Sequence, residues 1–236
     1  MRFFSYESRF SQLLLKLSCS CLLNILWFIC SLPIFTIGAS TTALYYASLK
    51  VIRDEESHAG TMFFRSFKEN FKQATQLWLI LLGAGLFLGA DGYILYHLRK
   101  SSTGIMAVIW TLILALVIAA SVLYVIVLLY VFPLLASVHN TNAAMLKNAF
   151  LIGTHYLFAT ILVFAVHFAM FFAVVAVFTP LIIFGEGLCA MASAWILNSL
   201  LISVSGTPED YMEDDPEEYP EEATKNVSDN SSEENT

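Results

Sequence analysis

The sequence predicts an all-α, polytopic membrane bundle of five or six transmembrane helices, with an interfacial amphipathic helix and a disordered acidic tail. Three observations lead there. Hydrophobic residues make up 58% of the chain and charged residues 13%, against about 45–50% and about 25% in soluble domains. No charged side chain occurs between Leu17 and Leu49. Charge is also divided along the chain: residues 207–236 carry 12 of the 19 acidic side chains and one of the 12 basic ones. A basic body, residues 1–205, is therefore joined to an acidic tail, residues 206–236.

Residues 1–12 place Arg2 and Arg9 among aromatics and read as an interfacial approach to a first helix over about Leu13–Leu32. The uncharged run is longer than the roughly 20 residues that cross a hydrocarbon core, so it must break. Pro33 removes a backbone donor and restricts Leu32, and Gly38 tolerates almost any backbone angle. A turn is expected between them, with Ser40 or Thr41 capping a second helix that runs to about Arg53. On that helix Ala39, Ala43 and Ala47 form a small-residue stripe, which lets membrane helices approach closely.

Beyond Arg53-Asp54-Glu55-Glu56, residues Phe64, Phe67, Phe71, Ala74 and Trp78 recur at helical spacing, with Arg65, Lys68, Glu69 and Lys72 away from them. This predicts an interfacial helix at about 61–73, its aromatic face in the headgroup boundary and its cations on anionic lipid. Phe64, Phe67, Phe71, Arg65, Lys68 and Lys72 form the predicted partner or lipid contact. Further spans are expected at Gln76–Leu98, Ile105–Phe132, from His155 or Tyr156 to Phe184, and at Leu188–Val204. Gly185-Glu186-Gly187 reads as a loop at the outer surface, and residues 137–156 as a loop with a short interfacial helix.

The motifs CSLP, TIG, TALYY and FKENFKQAT, with Phe132-Pro133 later, resemble the YesL-like family of bacterial membrane proteins, known as domain of unknown function 624. The resemblance covers roughly residues 1–205. It implies a membrane domain without an established activity. Members typically occur in Gram-positive bacteria, often encoded near oligosaccharide-uptake and carbohydrate-degradation systems.

Topology turns on whether the helix from Ala39 to Arg53 crosses. If it does, there are six crossings, ten Lys and Arg lie on one side, and only Arg99 and Lys100 lie on the other. If it is re-entrant, five crossings leave seven against five. The positive-inside rule favours six, with both termini cytoplasmic. Either version places residues 53–76 and the tail inside a bacterial cell membrane. The tail has too little apolar surface to offset its ordering entropy, and its charges repel, so disorder is expected.

Ionisable and polar groups inside a membrane are costly to bury and mark functional candidates. Three are singled out: Asn24, Asp91 and His167. Asn24 reads as an amide that bonds across to a neighbouring helix, or recognises substrate. Asp91 serves a proton or substrate pathway, or is satisfied at the interface. His167 is a proton relay, or a neutral side chain bonded to another helix.

Cys19, Cys21, Cys30 and Cys189 lack the paired spacing of a zinc site and read as reduced packing residues. No GxSxG, HExxH, phosphate-cradling or dinucleotide fingerprint is found. The expectation is therefore no enzyme, no cofactor, no metal and no nucleic-acid partner. The partners expected are the lipid bilayer and, through the resemblance, sugar transporter subunits. An accessory or regulatory component of carbohydrate uptake is the leading reading. A small transporter, or a scaffold or sensor recruiting a soluble protein through its tail, is the alternative, and an intramembrane enzyme at Asp91 or His167 ranks last.

Overall fold

The computed structural model describes residues 9–53, 58–177 and 182–205. The predicted tail, from 206, lies outside the described residues. One compact unit comprises Met1–Leu201, and Ile202–Thr236 separates as a second. All described elements are helical: α1 (Arg9–Ser31), α2 (Ile37–Ile52), α3 (Ala59–Ser101), α4 (Ile105–Leu135), α5 (Asn142–His155), α6 (Leu157–Phe172) and α7 (Ile182–Ser205). Five of them, α1, α3, α4, α6 with the segment after it, and α7, are long and apolar enough to cross a membrane.

The predicted break between α1 and α2 is present, and Thr36 organises it. The chain leaves α1 at Ser31 and makes a 3-10 turn at Ile34–Thr36. Thr36 Oγ1 lies 2.6 Å from both the Cys30 and Pro33 carbonyl oxygens, tying the turn to the end of α1. Ser40 and Thr41 are not caps. Helix α2 begins three residues earlier than Ser40, and Ser40 Oγ instead donates to the Thr36 carbonyl at 2.8 Å.

Helix α2 is enclosed by its neighbours, with Ala39, Ala43 and Ala47 all fully buried. It spans 16 residues, a rise of about 24 Å, short of the roughly 30 Å hydrocarbon core. It packs between α1 and the first half of α3. A Cβ added at Gly38 would stand 2.5 Å from Trp78 Cβ and 2.6 Å from the Ala74 carbonyl oxygen, so α2 and α3 meet there backbone to backbone. Trp78 Nε1 donates to the Ile34 carbonyl at 2.7 Å, and Trp27 Nε1 donates to Thr41 Oγ1 at 3.1 Å.

Helix α3 corrects the expectation of two elements. The predicted interfacial helix and the following span are one helix of 43 residues. The junction, Lys72-Gln73-Ala74-Thr75-Gln76, contains neither Gly nor Pro, so nothing interrupts the backbone ladder. Its inward face is Met62, Phe63, Ser66, Asn70, Ala74, Leu77 and Leu81.

The second half of α3 forms a hairpin with α4, held by Tyr124 Oη donating to the Leu81 carbonyl at 3.0 Å. Their outer faces, Leu86, Phe87 and Ile94 on α3 with Leu112, Leu116 and Ile118 on α4, are exposed. Apolar surface of this extent is lipid-facing surface in a membrane protein. Helix α5 is the short helix expected in the 137–156 segment. Thr141 caps it, accepting from the Ala144 amide at 3.4 Å. Asn142 Nδ2 donates to Gln76 Oε1 at 3.0 Å, fixing the start of α5 against the middle of α3.

The end of the chain differs from expectation. Gly185-Glu186-Gly187 is not a loop, because α7 begins at Ile182 and carries all three inside the helix. The glycines serve close packing. A Cβ at Gly185 would stand 2.7 Å from Met170 Sδ, and one at Gly187 would stand 2.6 Å from the Ser20 carbonyl oxygen. Helix α6 ends at Phe172, before the expected Phe184, and passes into a π-helical segment at Ala173–Val177.

Glycine substitutions distinguish packing from spacing. Gly38→Ala is expected to destabilise the protein by about 1–3 kcal/mol, because neither Trp78 Cβ nor the α3 backbone yields freely. Gly89 has nothing within 4 Å of an added Cβ, so Gly89→Ala should be neutral or stabilising by up to about 1 kcal/mol. Thermal unfolding of the purified protein in detergent measures both.

Candidate functional site

Two groups of residues are candidates, a surface face on α3 and a set of polar side chains between the helices. The face uses the residues predicted for it, rotated from the predicted arrangement. Phe64 is 50% and Phe71 37% exposed, while Phe67 is half-buried. Phe67 stacks on buried Phe63, with ring centroids 6.2 Å apart, and meets Phe71 edge-on at 5.4 Å. The ring that anchors this half of α3 is therefore Phe63, one residue off the predicted aromatic face. Phe63 precedes Phe67 by one four-residue step, so it continues the same spacing on the side that faces the core.

Phe64, Phe71, Lys68 and Lys72 remain outward. Arg65 Nε pairs with Glu69 Oε1 at 3.1 Å, an exposed pair one helical turn apart. Such pairs contribute under about 1 kcal/mol. The face thus combines two aromatic rings with a row of cations. It suits an amphipathic partner or a headgroup layer.

The interior cluster gathers side chains from four helices. Asn24, on α1, is fully buried, and its Oδ1 accepts from the Gly187 amide of α7 at 2.6 Å. Gly187 holds this bond because its missing Cβ lets α7 come against Ser20 and Asn24. His167, on α6, places Nδ1 2.9 Å from the Val163 carbonyl and Nε2 3.5 Å from the Tyr45 hydroxyl of α2. A carbonyl only accepts, so Nδ1 carries hydrogen, and Nε2 is the nitrogen left to receive a proton. Glu186 of α7, next to Gly187 in the helix, is half-buried.

Of the three predicted interior residues, Asn24 bonds to α7 and His167 lies against Tyr45 of α2. Asp91 makes neither kind of link. It is half-buried on the second half of α3 and has no hydrogen-bond partner among the described residues. Sequence reasoning missed Tyr45 and Glu186. The signal for Glu186 was available, since no other acid occurs between Asp91 and Glu209. Its flanking glycines masked it by suggesting a turn.

The four cysteines are free thiols. Among the described residues, no three His, Cys, Asp or Glu side chains are arranged to hold a metal ion.

Removing the Asn24 amide breaks the bond that ties α1 to the Gly187 N–H of α7. Asn24→Leu is expected to cost about 0.5–1.5 kcal/mol, whereas Asp91→Asn should stay within about 0.5 kcal/mol. Denaturant or thermal unfolding in detergent compares the two. Equal losses would contradict this placement.

Residues 21–92 match the model of a family described as a protein of unknown function, DUF624. The matched segment begins inside α1, contains α2 and ends in the second half of α3. It includes the Phe64 face, Asn24 and Tyr45, but neither His167 nor Glu186. This match is consistent with the YesL-like resemblance, and the apolar helices are consistent with a multi-pass membrane protein. No curated protein and no solved structure matches the chain.

Proposed function

We propose that this membrane protein is an accessory or regulatory component of carbohydrate uptake, docking a transporter subunit on the outer face of the first half of α3. The observation that carries the docking site is the division of that helix. Its inner face is consumed by α2, while Phe64 and Phe71 project outward beside Lys68 and Lys72. Exposed aromatic rings beside cations are the residue types that concentrate binding energy at interfaces. The carbohydrate association rests on the YesL-like resemblance. In this reading the face is cytoplasmic, as the distribution of Lys and Arg favours, and the site binds without catalysing a reaction.

A photoreactive residue in place of Phe64, with the full chain in its own cells, tests the reading. Capture of a sugar transporter subunit supports it. Capture of lipid alone makes this half of α3 a membrane anchor and overturns the docking role. The double substitution Phe64→Ser, Phe71→Ser is expected to abolish capture, with a photoreactive residue at Lys68 as the reporter. Both rings lie outside the core, so stability should change by about 1 kcal/mol or less.

A further inference from the structure

A groove between α1, α6 and α7 carries its charge at one end. It encloses about 690 Å³, and Lys16 is the one charged side chain among the described residues that line it. Ligand sites typically measure about 300–1,000 Å³. All three helices belong to candidate membrane spans, so the groove opens toward lipid.

Three hydrogen bonds and one sulfur contact set the direction of the groove. Its inner end is marked by the Asn24 bond to the Gly187 amide and by Cys189 Sγ, 3.9 Å from the Val166 carbonyl oxygen. From there the lining follows α7 through Met191 to Trp195, and α1 back to Lys16, about two helical turns before Asn24. At the outer end Lys16 Nζ donates to the carbonyl of Ile52, the last residue of α2, at 3.3 Å. Arg53 follows, and its Nε donates to Asn198 Oδ1 at 2.7 Å, just beyond the lining residue Ile196. Two cations are therefore fixed at the same end. Trp195 lies one turn inward of Asn198 and is 72% exposed, the placement of an indole at a membrane boundary. Further in, Met191, Leu188 and Val166 offer only apolar surface to the groove.

Over the roughly 15 Å of α7 from Asn198 to Leu188, cations give way to an indole and then to aliphatic side chains. This is the order of a phospholipid from phosphate to acyl chain. A soluble anion would leave the aliphatic wall unused, and a neutral apolar molecule would gain nothing from Lys16. Basic recesses between membrane helices recognise anionic headgroups.

We propose that this groove holds one anionic phospholipid, with its phosphate at Lys16 and Arg53, its glycerol level with Trp195, and an acyl chain along Met191, Leu188 and Val166. The lipid occupies the leaflet that contains the end of α2. On the orientation that the Lys and Arg distribution favours, this is the cytoplasmic leaflet, whose surface is negative. The site shares no residue with the Phe64 face, so it stands apart from the docking role.

The full chain in phosphatidylcholine bilayers, with a trace of phosphatidylglycerol carrying a photoreactive group midway along one acyl chain, tests this. Peptide mass spectrometry locates the labels. The expected result is labelling concentrated at Val166, Leu188 and Met191, about fivefold or more above that given by phosphatidylcholine with the same photoreactive chain. Lys16→Gln should lower the phosphatidylglycerol labelling about fivefold, and Lys16→Arg should retain it. Equal labelling by the two lipids in the unsubstituted chain, or labels spread over the exposed faces of α3 and α4 without concentration in the groove, would overturn the proposal without reference to any variant. Groove labelling unchanged by Lys16→Gln would overturn it as well.

Discussion

The close approach of α2 to its neighbours is the constraint on which the rest of the bundle depends. A helix flanked by large side chains stands about 8–10 Å from its partner. Gly38 and the alanines at 39, 43 and 47 remove that stand-off, and α2 sinks between α1 and the first half of α3. Dispersion between closely placed backbones is the main attraction available where lipid is as apolar as the side chains. Once α2 is seated, the Pro33–Thr36 turn, the indole bonds of Trp27 and Trp78, and the burial of Phe63 follow from its position. Tyr45 lies on this helix, so the depth of α2 also sets how near its hydroxyl comes to His167.

The polar groups that the helices leave over are handled in two ways. Hydroxyls such as Ser40 and Thr42 bond back to carbonyls one turn earlier, at 2.8 and 3.0 Å, which keeps them within their own helix. Others reach across. The Tyr130 hydroxyl lies 2.9 Å from Thr160 Oγ1, which donates to the Gly153 carbonyl at 2.7 Å, so α4, α6 and α5 are joined through one threonine. Asn24 makes the same kind of link between α1 and α7.

Much of the fold was legible because the signals were local. Pro33 and Gly38 marked the turn, and the alanine stripe marked the buried face of α2. The misreadings have a common cause. A glycine is silent about whether it supplies backbone freedom or close contact, so Gly185-Glu186-Gly187 reads as a loop until Met170 and Ser20 are seen against it. The aromatic spacing of 64, 67 and 71 suggested one coherent face, yet Phe63 lies only one position away and takes the core. Which of two adjacent rings points inward depends on where α2 lies, and no local pattern contains that. Asn24 was identifiable as a buried polar residue, but the amide it meets, that of Gly187, is 163 positions away on α7, and that proximity belongs to the tertiary structure.

The continuity of α3 gives the molecule a mechanical property. At 43 residues it extends about 64 Å, roughly twice the hydrocarbon thickness, without a glycine or proline between Thr61 and Leu82. Its first half is clamped by α2, and its far end, at Arg99, is braced by Nε donating to Thr111 Oγ1 of α4 at 3.1 Å. One unbroken ladder therefore carries both the Phe64 face and one arm of the α3–α4 hairpin, so the direction in which that face leaves the hairpin is set by the helix axis and not by a hinge.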